Sequence, residues 1–287
     1  MSSRSLRKFD SPHLRAIREK KIKRKKKIFL RIFILFIFLL VSFLVCLNLP
    51  FMKFDSFVLT DNKVLTEDEV SSFMKENLSG RLYLVLPKNN MVFFDRNKLE
   101  QDLKDRFSRI QNLKFYRNGH TLVIKVKEYE GSYLWCGVEF SKEGDCYLLD
   151  SSGHIFDKSP YFSGSAYVRF YGPSGSSMEN VIGQEFVNEN DFNQYIEMMD
   201  SLSYLGFEVS RFVVLSEKQI DIHVDTGTNE AHIYMYHDEK FAKRINDLAL
   251  SLTKEPLLAE ANNKFVNLEY LDIRFDDKIY YKLRPTF

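Results

Sequence analysis

The sequence predicts an α+β protein carried on one N-terminal transmembrane helix, and three observations predict it. A basic tail runs straight into an unbroken apolar stretch at residues 32–49. The next ~75 residues show the signals of the order β-α-α-β-β. The remainder is richer in strand-like runs but keeps two segments of helical spacing. The expected organisation is a basic cytoplasmic tail (1–31), a membrane span (32–49), a first folded unit (50–130) and a larger mixed-sheet β-rich unit with helices (131–287).

The tail holds thirteen Lys or Arg against Asp10 and Glu19, so it carries +11 of a whole-chain charge of +2 and leaves −9 for the rest. Residues 32–49 contain no charge, and Ser42 and Asn48 are the only polar side chains. Eighteen helical residues reach about 27 Å, enough to cross a hydrocarbon core. Positive charge against one end of a span holds that end in the cytoplasm, so the residues after Leu49 are expected outside. A cleaved signal peptide would have a shorter apolar region ending in small residues. Here Cys46-Leu47-Asn48-Leu49-Pro50 offers no such site, and Val45 is too bulky for lipoprotein processing at Cys46. The lysine run at 20–27 could neutralise nucleic-acid phosphates, but its position beside the span favours anionic lipid and topology. A tail this short and charged cannot bury a core, which excludes a cytoplasmic output domain.

In the first unit, residues 54–59 read as a strand leaving the membrane. Thr66-Glu67-Asp68-Glu69 reads as a capping box that opens a helix to about Asn77, with Val70, Phe73 and Met74 on one face. Residues 78–87 form an apolar connector. Asp95 then caps a second helix with Leu99, Leu103 and Phe107 at i, i+4 and i+8. Residues 113–117 and 121–129 follow as strands joined by Asn118-Gly119, a hairpin signal.

In the second unit, residues 133–140 and 146–149 read as a hairpin around a 141–144 turn, followed by the Asp150-Ser151-Ser152-Gly153 turn and a short strand at 154–156. Asp can bond its own backbone there, and Gly can take positive φ. Gly, Pro and small polar residues at 163–177 read as a mobile surface loop. Phe192, Ile196, Met199 and Leu202 have helical spacing, with Gly206 as the stop. Runs at 207–215, 220–224 and 232–236 read as strands. Asp238 caps a helix carrying Phe241, Ile245, Leu248 and Leu252, and strands at 265–275 and 279–283 close the chain.

Little in this pattern suggests catalysis. The elbow G-x-S-x-G and the phosphate-binding P-loop are absent, and Gly172-Pro173-Ser174-Gly175 reads as loop. His120, His154, His223, His232 and His237 stand singly. Strand-borne His223 and His232, with Asp221 or Asp225, could meet across a hairpin and bind metal; solvated or core-edge histidines are the favoured reading. No enzymatic activity, metal or cofactor is expected. Cys136 and Cys146 face a compartment that permits disulfides. A 141–144 turn, however, sets Cys136 nearer Leu149 than Cys146, so two buried thiols compete with a bridge.

The layout resembles the FtsQ/DivIB family of bacterial cell-division proteins. Four local patterns carry the resemblance: Leu82-Tyr83-Leu84-Val85 between the first two helices; Arg117-Asn118-Gly119-His120-Thr121-Leu122-Val123-Ile124-Lys125-Val126-Lys127-Glu128-Tyr129; Leu148-Leu149-Asp150-Ser151-Ser152-Gly153-His154-Ile155-Phe156; and Tyr270-Leu271-Asp272-Ile273-Arg274-Phe275. Two positions depart from the family: its hairpin Pro is replaced by Asn118-Gly119, and the Arg after the Glu is Tyr129. The resemblance implies a POTRA domain over 50–130, a β domain after it, and a non-enzymatic scaffold of the divisome at the septum. The implied partners are small single-span coiled-coil proteins of the FtsB/DivIC and FtsL type, beside other divisome proteins. If the 270–275 strand ends the sheet, its outer edge can template a partner strand. Contact is then expected on Arg274 and Phe275, with Tyr280, Tyr281 and Lys282 beyond; the competing reading puts Phe275 and Tyr281 in the core. A POTRA-bearing envelope receptor or transport accessory that binds peptides by strand addition is the alternative function.

Overall fold

The computed structural model describes residues 12–82, 86–138, 145–162, 164, 166–172, 180–216, 218–227, 229–254, 265, 267–276 and 278–285. It is a mixed α+β protein that divides into two compact units, Met1–Glu100 with Leu113–Val126, and Gln101–Asn112 with Lys127–Phe287.

The first unit begins with α1 (Pro12–Asn48), a single helix of 37 residues. From Pro12 on, the basic segment and the apolar stretch lie in one continuous helix. Its stretch Lys21–Asn48 is long and apolar enough to cross a membrane, and the apolar side chains from Ile28 to Val45 are largely exposed, as lipid-facing residues should be. Asn48 Nδ2 donates to Leu44 O at 2.9 Å, and Pro50 opens a short 3₁₀ turn, Pro50–Met52. The helix end is tied down from outside its own sequence. Fully buried Asn90 donates from Nδ2 to Leu47 O at 2.7 Å, and its Oδ1 accepts from Val92 N at 2.8 Å. One asparagine thus satisfies a last-turn carbonyl that the helix itself leaves without a partner.

Strand β1 (Ser56–Thr60) follows, then α2 (Glu67–Asn77). The expected capping box is present: Glu69 N donates to Thr66 Oγ1 at 3.4 Å, and Thr66 N donates back to Glu69 Oε2 at 3.2 Å. The connector adds two very short antiparallel strands, β2 (Arg81–Leu82) and β3 (Leu86–Pro87). Helix α3 (Arg96–Arg106), whose residues from Gln101 on belong to the second unit, starts where Lys98 N donates to Asp95 Oδ1 at 3.1 Å. Strands β4 (Ile110–Asn118) and β5 (Thr121–Glu128) complete a sheet of order β1-β5-β4, with β1 parallel to β5. Phe57, Leu59, Leu122, Ile124 and Val126 all point to its buried face. The turn sits one residue later than expected. Asn118 stays in the strand, and the two-residue loop is Gly119-His120 with Gly119 at φ +60°, because Gly at the first central position matches the strand twist.

The second unit is built on one nine-stranded sheet. Its strands are β6 (Tyr133–Trp135), β7 (Tyr147–Leu149), β8 (Ile155–Lys158), β9 (Arg169–Tyr171), β10 (Glu208–Val214), β11 (Gln219–Asp225), β12 (Glu230–Tyr236), β13 (Leu268–Asp272) and β14 (Tyr280–Leu283). Their spatial order is β14-β13-β12-β11-β10-β9-β6-β7-β8. Helix α4 (Glu189–Tyr204) connects the parallel pair β9 and β10, and α5 (Phe241–Lys254) connects the parallel pair β12 and β13. Asn188 caps α4, its Oδ1 accepting from Asp191 N at 2.9 Å. Both helices pack on one face, where Phe192, Tyr195, Met198, Leu202, Leu248 and Leu252 meet Phe170, Phe212, Ile222 and Ile233. On the other face a smaller apolar cluster, Leu134, Cys136, Leu148, Phe156, Tyr171 and Val213, covers one half of the sheet.

Three expectations are corrected here. The segment read as a mobile loop contains β9, a central strand whose Phe170 is fully buried; residues 163, 165 and 173–177 of that segment lie outside the described residues. The glycine content masked the aromatic run Tyr167-Val168-Arg169-Phe170-Tyr171. Gly172, at φ +125°, ends this strand so close to β10 that a Cβ would lie 2.6 Å from Val214 O. Second, Cys136 and Cys146 are bridged, with Cα atoms 4.2 Å apart. The register Tyr133↔Leu149, Leu134↔Leu148, Trp135↔Tyr147 brings Cys136 opposite Cys146, not Leu149. The turn that suggested the other register, 141–144, lies outside the described residues. Third, the 270–275 run does not end the sheet: β13 stops at Asp272 and lies between β12 and β14.

Candidate functional site

The two ends of the nine-stranded sheet differ. At the β8 end, backbone from a neighbouring loop covers the edge: Ile155 N donates to Gln184 O at 2.8 Å, and Gly183 N to Ile155 O at 2.7 Å. At the other end, β14 pairs with β13 through Asp272↔Tyr280, Leu271↔Tyr281, Tyr270↔Lys282 and Leu268↔Leu283. Among the described residues no strand pairs with its outer side. All four residues of β14 are exposed. An edge of this kind presents backbone N–H and C=O groups to an incoming strand.

The structure places the five expected contact residues around this edge in two different roles. Phe275 is 50% exposed and Tyr281 45%, so neither fills the core. Phe275 and Tyr280 meet edge to face with ring centroids 5.0 Å apart, giving an aromatic corner at the start of β14. Lys282 pairs with Glu269 at 2.8 Å on the surface. Arg274 is engaged within the fold. Its Nε donates to Asp272 Oδ1 at 2.8 Å, its guanidinium bonds the second carboxylate oxygen, and it stacks over the Tyr234 ring at 5.4 Å. Burial raises the Asp272 carboxyl, but the Arg274 hydrogen bonds outweigh it and hold the group below its ordinary value. Arg274 therefore buttresses the end of β13, while Phe275, Tyr280, Tyr281 and Lys282 present the surface.

Beside the edge, α5 and the segment after β13 enclose a groove of about 430 Å³, whose apolar lining includes Leu250, Ile273, Phe275 and Ile279. Sequence reading missed this groove, since it forms only when α5 crosses back over the sheet. Its polar wall is a charge network. Arg244, with a side chain only 5% exposed, donates to both oxygens of Asp238 at 2.6 and 2.9 Å and approaches Asp276 at 3.5 Å. Asp276 also pairs with Lys240. The Arg244 hydrogen bond holds the Asp238 carboxyl below its ordinary value, and the Lys240 hydrogen bond does the same for Asp276.

Of the sequence-selected histidines, the structure brings two together. His223 and His232 are directly paired across β11 and β12, and both reach Asp221. Asp225 instead accepts from Gly227 N at 2.7 Å in the following turn. His237 bonds Gln194 through Nε2 at 2.7 Å, and His154 packs on Tyr129 with ring centroids 4.8 Å apart. The Asp150 turn is as expected: Oδ1 accepts from Ser152 N at 2.8 Å and His154 N at 3.0 Å, with Gly153 at φ +87°.

No protein-family model matches this chain, and no curated protein compared with it matches either.

Proposed function

We propose that this chain is a non-enzymatic, single-span membrane scaffold of the FtsQ/DivIB type. In this reading it binds small coiled-coil division proteins of the FtsB/DivIC and FtsL type, outside the cytoplasmic membrane, during septum formation. The observation that carries the proposal is the open β14 edge, flanked by Phe275, Tyr280 and Tyr281 and continuous with the groove under α5. Strand addition at such an edge gains main-chain hydrogen bonds, and the aromatics and groove supply anchors for side chains.

The family resemblance at residues 82–85 and 117–129 and the β-α-α-β-β order of the longer elements over 50–130 support reading that segment as a POTRA domain. The basic flank of the span supports a cytoplasmic N-terminus. The Cys136–Cys146 bridge agrees with this orientation, because disulfides persist outside the reducing cytoplasm. The edge itself favours a second reading as well, an envelope receptor that adds peptides of many sequences as strands, since main-chain pairing selects weakly among them.

The test is recovery of membrane partners from cross-linked cells with Phe275→Glu and Tyr281→Glu, against Tyr204→Glu on α4, a residue 92% exposed and remote in sequence from the edge. The division reading predicts that small single-span division proteins are lost from the first two variants by tenfold or more and retained by the third. Depletion of the protein should give filamentous or chained cells. Undiminished recovery with both edge variants would remove the proposal, and recovery of a broad set of unfolded chains would favour the receptor.

A further inference from the structure

Strand β11 turns Ile220, Ile222 and Val224 toward α4 and α5, so Asp221 and His223 point to the opposite face. There His232 of β12 lies directly across from His223. Asp221 Oδ2 is 3.3 Å from His223 Nε2 and 3.1 Å from His232 Nδ1, and the three ligand atoms all lie within 4.8 Å of one another. We propose that Asp221, His223 and His232 form a site for a divalent transition-metal ion of the zinc class.

Four features argue for it. Tetrahedral zinc with bonds of about 2.0–2.1 Å to N and O separates its ligand atoms by about 3.3 Å, close to the 3.3 and 3.1 Å from Asp221 Oδ2 to the two imidazole nitrogens. Two imidazoles and one carboxylate suit zinc and its neighbours rather than calcium or magnesium, which take oxygen ligands. The other nitrogen of His223, Nδ1, faces Glu230 Oε2 at 3.4 Å, and Glu230 is itself held by Arg211 and by Ser210 Oγ at 3.1 Å. A carboxylate behind a ligating histidine is the usual device for fixing the ring and raising its basicity. Finally, the His223 side chain is 3% exposed with a carboxylate at each nitrogen. The ring is therefore held between Asp221 at Nε2 and Glu230 at Nδ1, away from bulk water.

The site is reachable, since the side chains of His232 and Asp221 are 34% and 14% exposed. Three protein ligands leave a fourth position for water or for a group from a partner. The ion clips the β11–β12 pair from the face that the helices do not cover. This inference does not depend on the division reading.

The test uses the full-length chain in detergent micelles, stripped of metal and titrated with zinc chloride by calorimetry, and with cobalt(II) followed by its visible absorption. The account predicts one ion per chain. His232→Ala and Asp221→Asn should each weaken zinc by about 100-fold or more, and Glu230→Gln by about 10–100-fold, with His120→Ala unchanged. A measurement on the unaltered protein guards against variants that fail to fold: zinc should protect His232 from diethylpyrocarbonate, mapped by mass spectrometry. Absence of saturable binding, undiminished affinity in a folded His232→Ala, or equal His232 modification with and without zinc would each overturn the site.

Discussion

Replacing Arg244 by methionine tests whether the charge network beside the proposed edge stabilises the second unit. The side chain is 5% exposed, bonds both oxygens of Asp238, reaches Asp276, and lies 5.7 Å from the centre of the Tyr236 ring. Methionine keeps much of the packing volume but removes the charge. Breaking a buried pair from one side costs about 3–5 kcal/mol. Here the abandoned carboxylates are 33% and 42% exposed and recover part of their solvation, so the expected loss falls to about 2–3 kcal/mol. The assay is urea unfolding of the full chain in micelles, followed by fluorescence of Trp135. It is the only tryptophan of the sequence and is fully buried in the second unit's core. The midpoint should fall with an unchanged slope. In a double-mutant cycle Asp238→Asn should remove much of the same energy, giving a coupling of about 1–2 kcal/mol. A loss below about 0.5 kcal/mol, the range of ordinary surface substitutions, would refute the reasoning.

Further outcomes follow from the same geometry. Gly153→Ala should destabilise by about 2–4 kcal/mol in the same Trp135 assay, because the backbone sits at φ +87° and the new Cβ would lie 2.8 Å from Phe192 Cγ. Cys136→Ser should lower stability by about 2–3 kcal/mol, the closure entropy of a loop with sequence separation 10, and dithiothreitol should leave that variant unaffected while destabilising the parent. Asn90→Ala leaves Leu47 O and Val92 N without their side-chain partner, so the amides of residues 92–93 should exchange at least about tenfold faster, about 1–3 kcal/mol per buried group. On acidification, Asp238 and Asp276 lend stability that is complete above the ordinary carboxylate pKa and is lost as pH falls through their lowered folded values. The parent should therefore lose stability on moving from about pH 5 toward pH 2 more steeply than Asp238→Asn does.

Local chemistry was legible wherever a few adjacent residues decide the structure. The Thr66–Glu69 box, the Asp95 and Asn188 helix starts and the Asp150–Gly153 turn all close within four residues, and the first two of these and the turn were read directly. The alternation of Leu122, Ile124 and Val126 likewise revealed the buried face of β5. What failed was long-range or masked by composition. Strand β9 hid among glycines, since Gly164 and Gly172 signal loop while the intervening aromatics fill the sheet centre. The disulfide depended on the register of β6 against β7, which sets Cys136 opposite Cys146 and not near Leu149. Among the described residues the sheet ends at β14 and not at β13, because a run of β-prone residues does not say whether another strand will pair outside it. Arg274, expected at a partner surface, bonds Asp272 two residues away and keeps 33% of its side chain exposed. The groove was invisible, because its walls come from α5 and the 273–279 segment, which only the fold brings together. The His223–His232 pairing was foreseen as one alternative, since an antiparallel hairpin of the right length sets those positions opposite each other.

The central claim is that β14 receives a strand from a division partner outside the membrane. A photoactivatable benzophenone side chain in place of Tyr281, irradiated in dividing cells, tests it most directly. The account predicts an adduct with a small single-span coiled-coil protein, weakened by Phe275→Glu and absent when the same group replaces Tyr204. Contradiction would come from no adduct at position 281, or from the same proteins captured equally at both positions.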